Sequence, residues 1–265
     1  MADSPMLFLH GVGRRGRDFF PFALDFESRV GLQILDLSGH GEASRTGRYR
    51  AIDYLDRVLS TLEDNPEPTI IYGHSLGALL AGAAAATRPE SVRAIVLEDP
   101  PGRRFYESRN ETAYPTLFRA MQRLASNGRS VAEVAAELAE VRLPRPDGTE
   151  VRFGDVRDAD ALRFSAECLI DLDPQVYSPF LDGSWLNGFD AEAIWRKVRC
   201  PTLLFQGDTA CGGMLLDTDA AEMAEWIPDN QTVRFPGIGH LIHWTATELA
   251  QERVHEFLNR VAACS

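Results

Sequence analysis

A serine with a glycine two residues to either side, Gly73-His74-Ser75-Leu76-Gly77, joins the apolar run 69–72 to a run of small residues at 78–86. No other stretch constrains the chain as much. The run before it reads as a buried strand and the run after it as a helix, so Ser75 falls on the turn between them. Glycines on both flanks remove the side chains that would collide across so sharp a turn. A helix that begins just after Ser75 directs its unbonded backbone N–H groups, and the positive end of its dipole, at the same point. Strand, serine turn and helix together make the nucleophile-elbow pattern, in which strained backbone lifts the hydroxyl clear of the sheet.

The same alternation runs along most of the chain. Short apolar runs at 6–9, 32–37, 69–72, 94–97, 202–206 and 232–235 are predicted strands. Ile52, Leu55, Val58, Leu59 and Leu62 recur at helical spacing, and a further helix is predicted at 220–227. Leu249, Val254, Phe257, Leu258 and Val261 mark a last helix, with Thr245 and Glu248 predicted as its capping box. Strands alternating with helices predict an α/β fold, with a mostly parallel sheet covered on both faces.

Between 100 and 200 the rhythm changes to mostly helical. Ser130 and Glu133 form a capping box, and the stripes Leu117/Met121/Leu124 and Leu162/Ala166/Leu169 read as core. The predicted division is a core of residues 1–99 and 201–265, with residues 100–200 inserted as a helical cap.

Acidic residues outnumber basic ones by 39 to 27, a formal charge of −12. That balance argues against nucleic acid or anionic membrane as a partner. The apolar run 76–86 is too short to span a bilayer. The four cysteines, Cys168, Cys200, Cys211 and Cys264, show no C-x-x-C spacing, so reduced thiols and a cytoplasmic location are expected. The segment before the first strand lacks the basic-then-apolar plan of a signal peptide. No histidine–carboxylate group has metal-ligand spacing and no phosphate loop is present, so neither a metal nor a cofactor is expected.

A serine hydroxyl needs a base to become a nucleophile. Of the six histidines, His240 follows Pro236-Gly237-Ile238-Gly239 just past the last predicted strand, where a loop can bring an imidazole over the elbow. His243 is the substitute. His10 and His40 sit beside glycines at strand ends, His74 is expected to turn away, and His255 lies on the last helix. Arg14, Arg15 and Arg17 neighbour Phe19, Phe20 and Phe22. A carboxylate-binding gate is one reading of them, and a solvated loop over packed aromatics is the favoured one.

The segments Leu7-Phe8-Leu9-His10-Gly11, Asp36-Leu37-Ser38-Gly39-His40-Gly41, Gly73-His74-Ser75-Leu76-Gly77, Pro201-Thr202-Leu203-Leu204-Phe205-Gln206-Gly207-Asp208 and Gly239-His240 resemble, in order, those of the α/β-hydrolase fold. The resemblance covers nearly all of the chain outside the cap. It implies a Ser…acid…His triad and an oxyanion hole made by the N–H groups of Leu76 and Val12. The position that carries the acid in many relatives is Ala210 here. Asp99, Glu98 and Asp208 are therefore the candidates. Asp99 and Glu98 end the strand after the elbow helix, where capped enzymes such as zearalenone lactone hydrolases place their acid. Members usually have two strands before the His-Gly loop, and this chain lacks room for them. A sheet of about six strands is expected, with 32–37 near an edge where a homodimer could form.

The resemblance implies a cofactor-independent serine hydrolase, monomer or homodimer, cleaving an ester or lactone of a largely apolar small molecule. Trp185 is expected to wall the substrate pocket. Cleavage of a C–C bond or thioester by the same triad is the alternative, as is a triad-bearing receptor with little turnover.

Overall fold

The computed structural model describes residues 4–145 and 147–263. Six parallel strands form one sheet with helices on both faces. These strands are β1 (Pro5–Leu9), β2 (Gly31–Leu35), β3 (Thr69–His74), β4 (Val92–Glu98), β7 (Thr202–Gly207) and β8 (Asn230–Phe235). Their order across the sheet is β2-β1-β3-β4-β7-β8. The serine strand β3 is therefore interior, with β1 and β4 as neighbours, and β2 and β8 are the edges.

Strand periodicity sorts the core into two layers. Leu7, Leu9, Ile71, Ile95, Leu97 and Leu204 face one way, onto the helices α1 (Leu55–Glu63) and α2 (Leu76–Thr87). Met6, Phe8, Tyr72, Val96, Leu203 and Phe205 face the other, onto Phe19, Phe22, Phe26 and the final helix. The first layer continues without a break into the segment between β4 and β7. That segment holds the helices α3 (Tyr114–Leu124), α4 (Val131–Ala139) and α5 (Ala159–Asp171), with Phe118, Leu138 and Leu169 buried. Helix α6 (Asp217–Trp226) joins β7 to β8, and α7 (Thr247–Ala263) closes the chain.

Three local expectations need correction. Strand β2 ends at Leu35 rather than at residue 37, because the Leu37 N–H leaves the ladder to donate to His10 Nε2 at 3.0 Å. The 100–200 segment contains a small antiparallel hairpin, β5 (Arg142–Pro144) with β6 (Glu150–Arg152), too short to leave a periodic signature. Thr245 does not cap α7. It ends a separate turn, Ile242–Thr245, and its hydroxyl donates to the Leu241 carbonyl. The Ser130–Glu133 box does form, at the start of α4. Cys168, Cys200 and Cys211 are free thiols, and Cys264 lies outside the described residues.

Helix α2 crosses the sheet at contact distance, and glycine permits it. A Cβ on Gly77 would stand 1.9 Å from the Leu9 carbonyl oxygen, and one on Gly73 would stand 2.2 Å from the Gly77 carbonyl oxygen. Both obstacles are backbone, which cannot swing aside. Gly77→Ala is expected to destabilise the fold by about 1–3 kcal/mol, the cost of overpacking a tight contact. A urea titration reads this as a lowered midpoint, and an unshifted midpoint would show that α2 can lift from β1 at little cost.

Candidate active site

Ser75 sits between β3 and α2 with φ 55° and ψ −115°, a left-handed conformation that side chains rarely adopt. It is held there at both ends. Its N–H donates to the Glu98 carbonyl at 2.9 Å, and its own carbonyl accepts from Ala78 and Leu79 in the first turn of α2. Leu76 is the first residue of that helix, so its N–H has no carbonyl a turn earlier to bond.

The loop after β1 supplies the opposite wall. His40 Nε2 accepts from the Gly13 N–H at 3.0 Å, and its Nδ1–H donates to the Ser38 carbonyl. His10 makes the matching bridge, accepting from Leu37 N–H and donating to the Gly11 carbonyl. Burial pushes both imidazoles down, His40 to about 3, so each stays neutral and keeps the acceptor nitrogen its bridge requires. With Gly13 N–H spent on His40, the Val12 N–H remains without an acceptor among the described residues.

The chain ahead of α7 delivers His240, which is 9% exposed. Its Nδ1–H donates to Asp99 Oδ2 at 2.7 Å. Asp99 directly follows β4 with φ 43° and is fully buried. Its remaining lone pairs accept from the N–H groups of Gly207 (3.0 Å), Met214 (2.7 Å) and Leu215 (3.2 Å). Four donors on two oxygens fix the carboxylate in one orientation. His74 does not simply turn away: its Nε2–H donates to the His240 carbonyl, and the two rings lie 4.5 Å apart.

Ser75 and His240 line one cavity of about 80 Å³, together with Val12, Tyr114, Phe118 and Met214. The Ser75 hydroxyl does not bond His240. It points to Met214 Sδ, 4.0 Å away. Nucleophile–base contacts of this kind commonly tighten only with substrate bound. A larger cavity, about 460 Å³, lies among Pro100, Tyr106, Trp195 and Trp226. It contains none of Ser75, His240 or Asp99, so the smaller cavity is the one that matters to the chemistry.

The other candidate residues lie elsewhere. Glu98 faces the opposite side of β4 and accepts from His243 Nδ1 at 2.8 Å and from Tyr72 Oη at 2.7 Å, so it does not orient His240. His243 is fully enclosed by that pairing and by Asp18 at 3.5 Å, and does not reach Ser75's cavity. Asp208 accepts from Ala210 and Gly237 N–H groups in a surface turn. Trp185 packs into the helical segment against Tyr106 and Phe180, with its backbone N–H on Tyr106 Oη, and lines neither cavity. Arg14 is not solvated: its side chain is 12% exposed, paired with Asp18 and laid over Phe164 and Trp244. The sequence reading missed Tyr114, Met214 and Arg157, which line the cavity from segments whose spacing carries no catalytic signal.

Arg14, Asp18, His243 and Glu98 thus form a buried, charge-balanced row behind the site. Burial works against the His243 cation, but the Glu98 charge and then the Asp18 contacts outweigh it and hold the pKa up at about 9. Burial likewise opposes the Glu98 charge, and His243 overcomes it, bringing Glu98 down to about 2. A raised histidine pKa gives stability that is complete below its unfolded value of 6.5 and is lost as pH climbs through about 9. A depressed carboxylate pKa gives stability that is complete above 4.5 and is lost as pH falls through about 2. The melting temperature is therefore expected to decline from pH 6.5 to 9, and His243→Gln is expected to flatten that limb while lowering stability overall. Calorimetric scans across this range check it, and a wild-type alkaline limb as flat as the variant's would remove His243 as its cause.

The sequence model of the Alpha/beta hydrolase family matches residues 6–252. A 2-(acetamidomethylene)succinate hydrolase of Mesorhizobium japonicum is 25% identical, covering 96% of this chain and 87% of the relative. A pimeloyl-[acyl-carrier protein] methyl ester esterase of Chromobacterium violaceum is 29% identical, covering 89% and 86%. The crystal structure of the enol-lactonase from Burkholderia xenovorans LB400 superposes with a TM-score of 0.70 at 16% identity, covering 97% and 92%, a likeness of fold.

Proposed function

Because this chain belongs to the alpha/beta hydrolase family, we propose that it is a serine hydrolase cleaving a carboxylic ester or lactone, with Ser75, His240 and Asp99 as its triad. The observation that carries this reading is the shared cavity. A serine on a strained strand–helix turn faces it beside an imidazole whose far nitrogen is held at 2.7 Å by a buried carboxylate.

The chemistry follows from the positions. Asp99 keeps the proton of His240 on Nδ1, so Nε2 presents a lone pair to the cavity. The Ser75 hydroxyl turns from Met214 toward it and gives up its proton as Oγ bonds to the substrate carbonyl carbon. Negative charge moves to the carbonyl oxygen, where the N–H groups of Leu76 and Val12 receive it. The C–O bond to the leaving alcohol breaks as His240 returns the proton to that oxygen. Water, deprotonated by the same imidazole, then attacks the acyl group and frees Ser75. We assign residues 100–200 the role of cap over this cavity. No described helix is long and apolar enough to cross a membrane.

The esterase relative of Chromobacterium violaceum supports an ester bond, and a lactone is the same bond closed in a ring. A second reading, a receptor with little turnover, draws on the Ser75 hydroxyl facing sulfur rather than imidazole. A fluorophosphonate probe combined with p-nitrophenyl esters separates the two. Labelling at Ser75 with repeated turnover supports the enzyme, and labelling without turnover supports the receptor.

A further inference from the structure

We propose that the substrate carries a free carboxylate and that Arg157, on the cap side of the Ser75 cavity, is the residue that binds it. This deepens the hydrolase reading and rests on it.

The cavity holds two arginines in different states. Arg14 is spoken for: Nε and Nη2 donate to Asp18 at 2.9 and 2.5 Å, Nη1 donates to Ser165 Oγ at 3.2 Å, and Phe164 and Trp244 cover the guanidinium. Its charge is cancelled within the protein. Arg157 lies between the turn Phe153–Asp155 and helix α5 and lines the same cavity. It is half-buried, and its guanidinium stands 5.8 Å from the centre of the Phe153 ring. It makes no hydrogen bond or ion pair with any described residue. Asp158, the adjacent carboxylate, is exposed and caps α5 by accepting from the Ala161 N–H.

Removing a cation from water without a partner costs free energy, which an incoming anion returns. The remaining walls offer no such anion. Leu117, Phe118, Met121 and Met214 are uncharged, and Asp99 is already occupied by His240 and three backbone donors. The cavity therefore carries surplus positive charge inside a chain whose formal charge is −12. A guanidinium offers a planar fork of donors that fits a carboxylate through two parallel bonds. The ligand class this selects is an ester whose short apolar acyl part ends in a carboxylate, such as a half-ester of a small dicarboxylic acid.

The test pairs esters of matched length that differ in the terminal charge. The p-nitrophenyl half-esters of succinate and glutarate are compared with p-nitrophenyl butyrate and valerate. Wild type is expected to favour the charged esters in kcat/KM by about a hundredfold, the scale of a desolvated charge pair. Arg157→Gln should erase most of that preference through KM, and Arg157→Lys should restore part of it. Calorimetry on Ser75→Ala, with monomethyl glutarate against methyl valerate, reads the same preference as binding without turnover. Equal handling of charged and neutral esters, or a preference that survives Arg157→Gln, overturns the proposal. Fluorophosphonate labelling reports the nucleophile separately. Labelling without a charge preference sinks the Arg157 assignment alone, and a binding preference without labelling sustains it while sinking the hydrolase reading.

Discussion

Ser75→Ala is expected to lower kcat by about a millionfold, the scale seen when a triad nucleophile is deleted, while leaving the fold intact. The two halves of that expectation have separate causes. In the proposed reaction the hydroxyl oxygen is the atom that becomes covalently bound, so nothing else in the cavity can replace it. Yet its sole polar contact among the described residues is the Met214 sulfur at 4.0 Å, so its removal breaks no bond that holds the described structure together. Alanine keeps the Cβ, so the packing of the turn against Gly11 is preserved. The strain at φ 55° is also preserved, and Ser75→Gly should relieve it, raising the melting temperature while abolishing turnover equally. Steady-state rates on an activated ester, alongside thermal melts, check both halves. Retention of more than a thousandth of the wild-type rate would mean that another group is the nucleophile.

Asp99→Asn is expected to lower kcat by about ten-thousandfold, and the reason is specific to this site. The carboxylate oxygens receive four donors: Gly207 and Leu215 N–H at Oδ1, and Met214 N–H and His240 Nδ1–H at Oδ2. An asparagine must place its NH₂ on one side. Toward His240, it opposes the Met214 N–H and forces the ring to accept at Nδ1, leaving Nε2 protonated and useless as a base. On the other side, it confronts two backbone N–H groups. Either choice costs catalysis. Asp208→Asn is the control, since Asp208 serves only a surface turn, and its rate is expected to stay within about twofold of wild type. Glu98→Gln should lower stability instead, because it removes the charge facing His243. A larger rate loss in Asp208→Asn than in Asp99→Asn would reverse the assignment.

The six strands, the elbow and the loop-borne imidazole were legible because each rests on a local rule. The glycines around Ser75, the apolar runs and the turn before His240 are written within a few residues of where they act. The acid was left open among three carboxylates for a physical reason. Two of them are consecutive on β4, and alternation sends one to each face of the sheet without saying which histidine waits there. Histidines three residues apart, His240 and His243, meet Asp99 and Glu98 respectively. Trp185, Tyr114 and Arg157 belong to the segment between β4 and β7, where helical spacing identifies buried faces but not which buried face meets the serine. A tryptophan there went to the interior of that segment, and an arginine with no sequence signal came to the cavity. Arg14 was misread as solvated because the rings that cover it, Phe164 and Trp244, lie far along the chain, although its ion-pair partner Asp18 is only four residues away.

Asp99 draws its three backbone donors from residues 207, 214 and 215, in the loop where many relatives keep the acid itself. Beside the Met214 side chain in the cavity wall, that loop contributes peptide groups here and no carboxylate to His240. Such a contribution is nearly indifferent to sequence, since almost any amino acid brings an N–H to the same place. Gly207, Gly212 and Gly213 are the exceptions: Gly207 and Gly213 are hemmed in by the backbone of Gly239 and of Gly207–Asp208, and Gly212 sits at φ 93°. Between those fixed points the loop is open to drift, and variation that would disable a relative's triad can accumulate there without touching the proposed reaction.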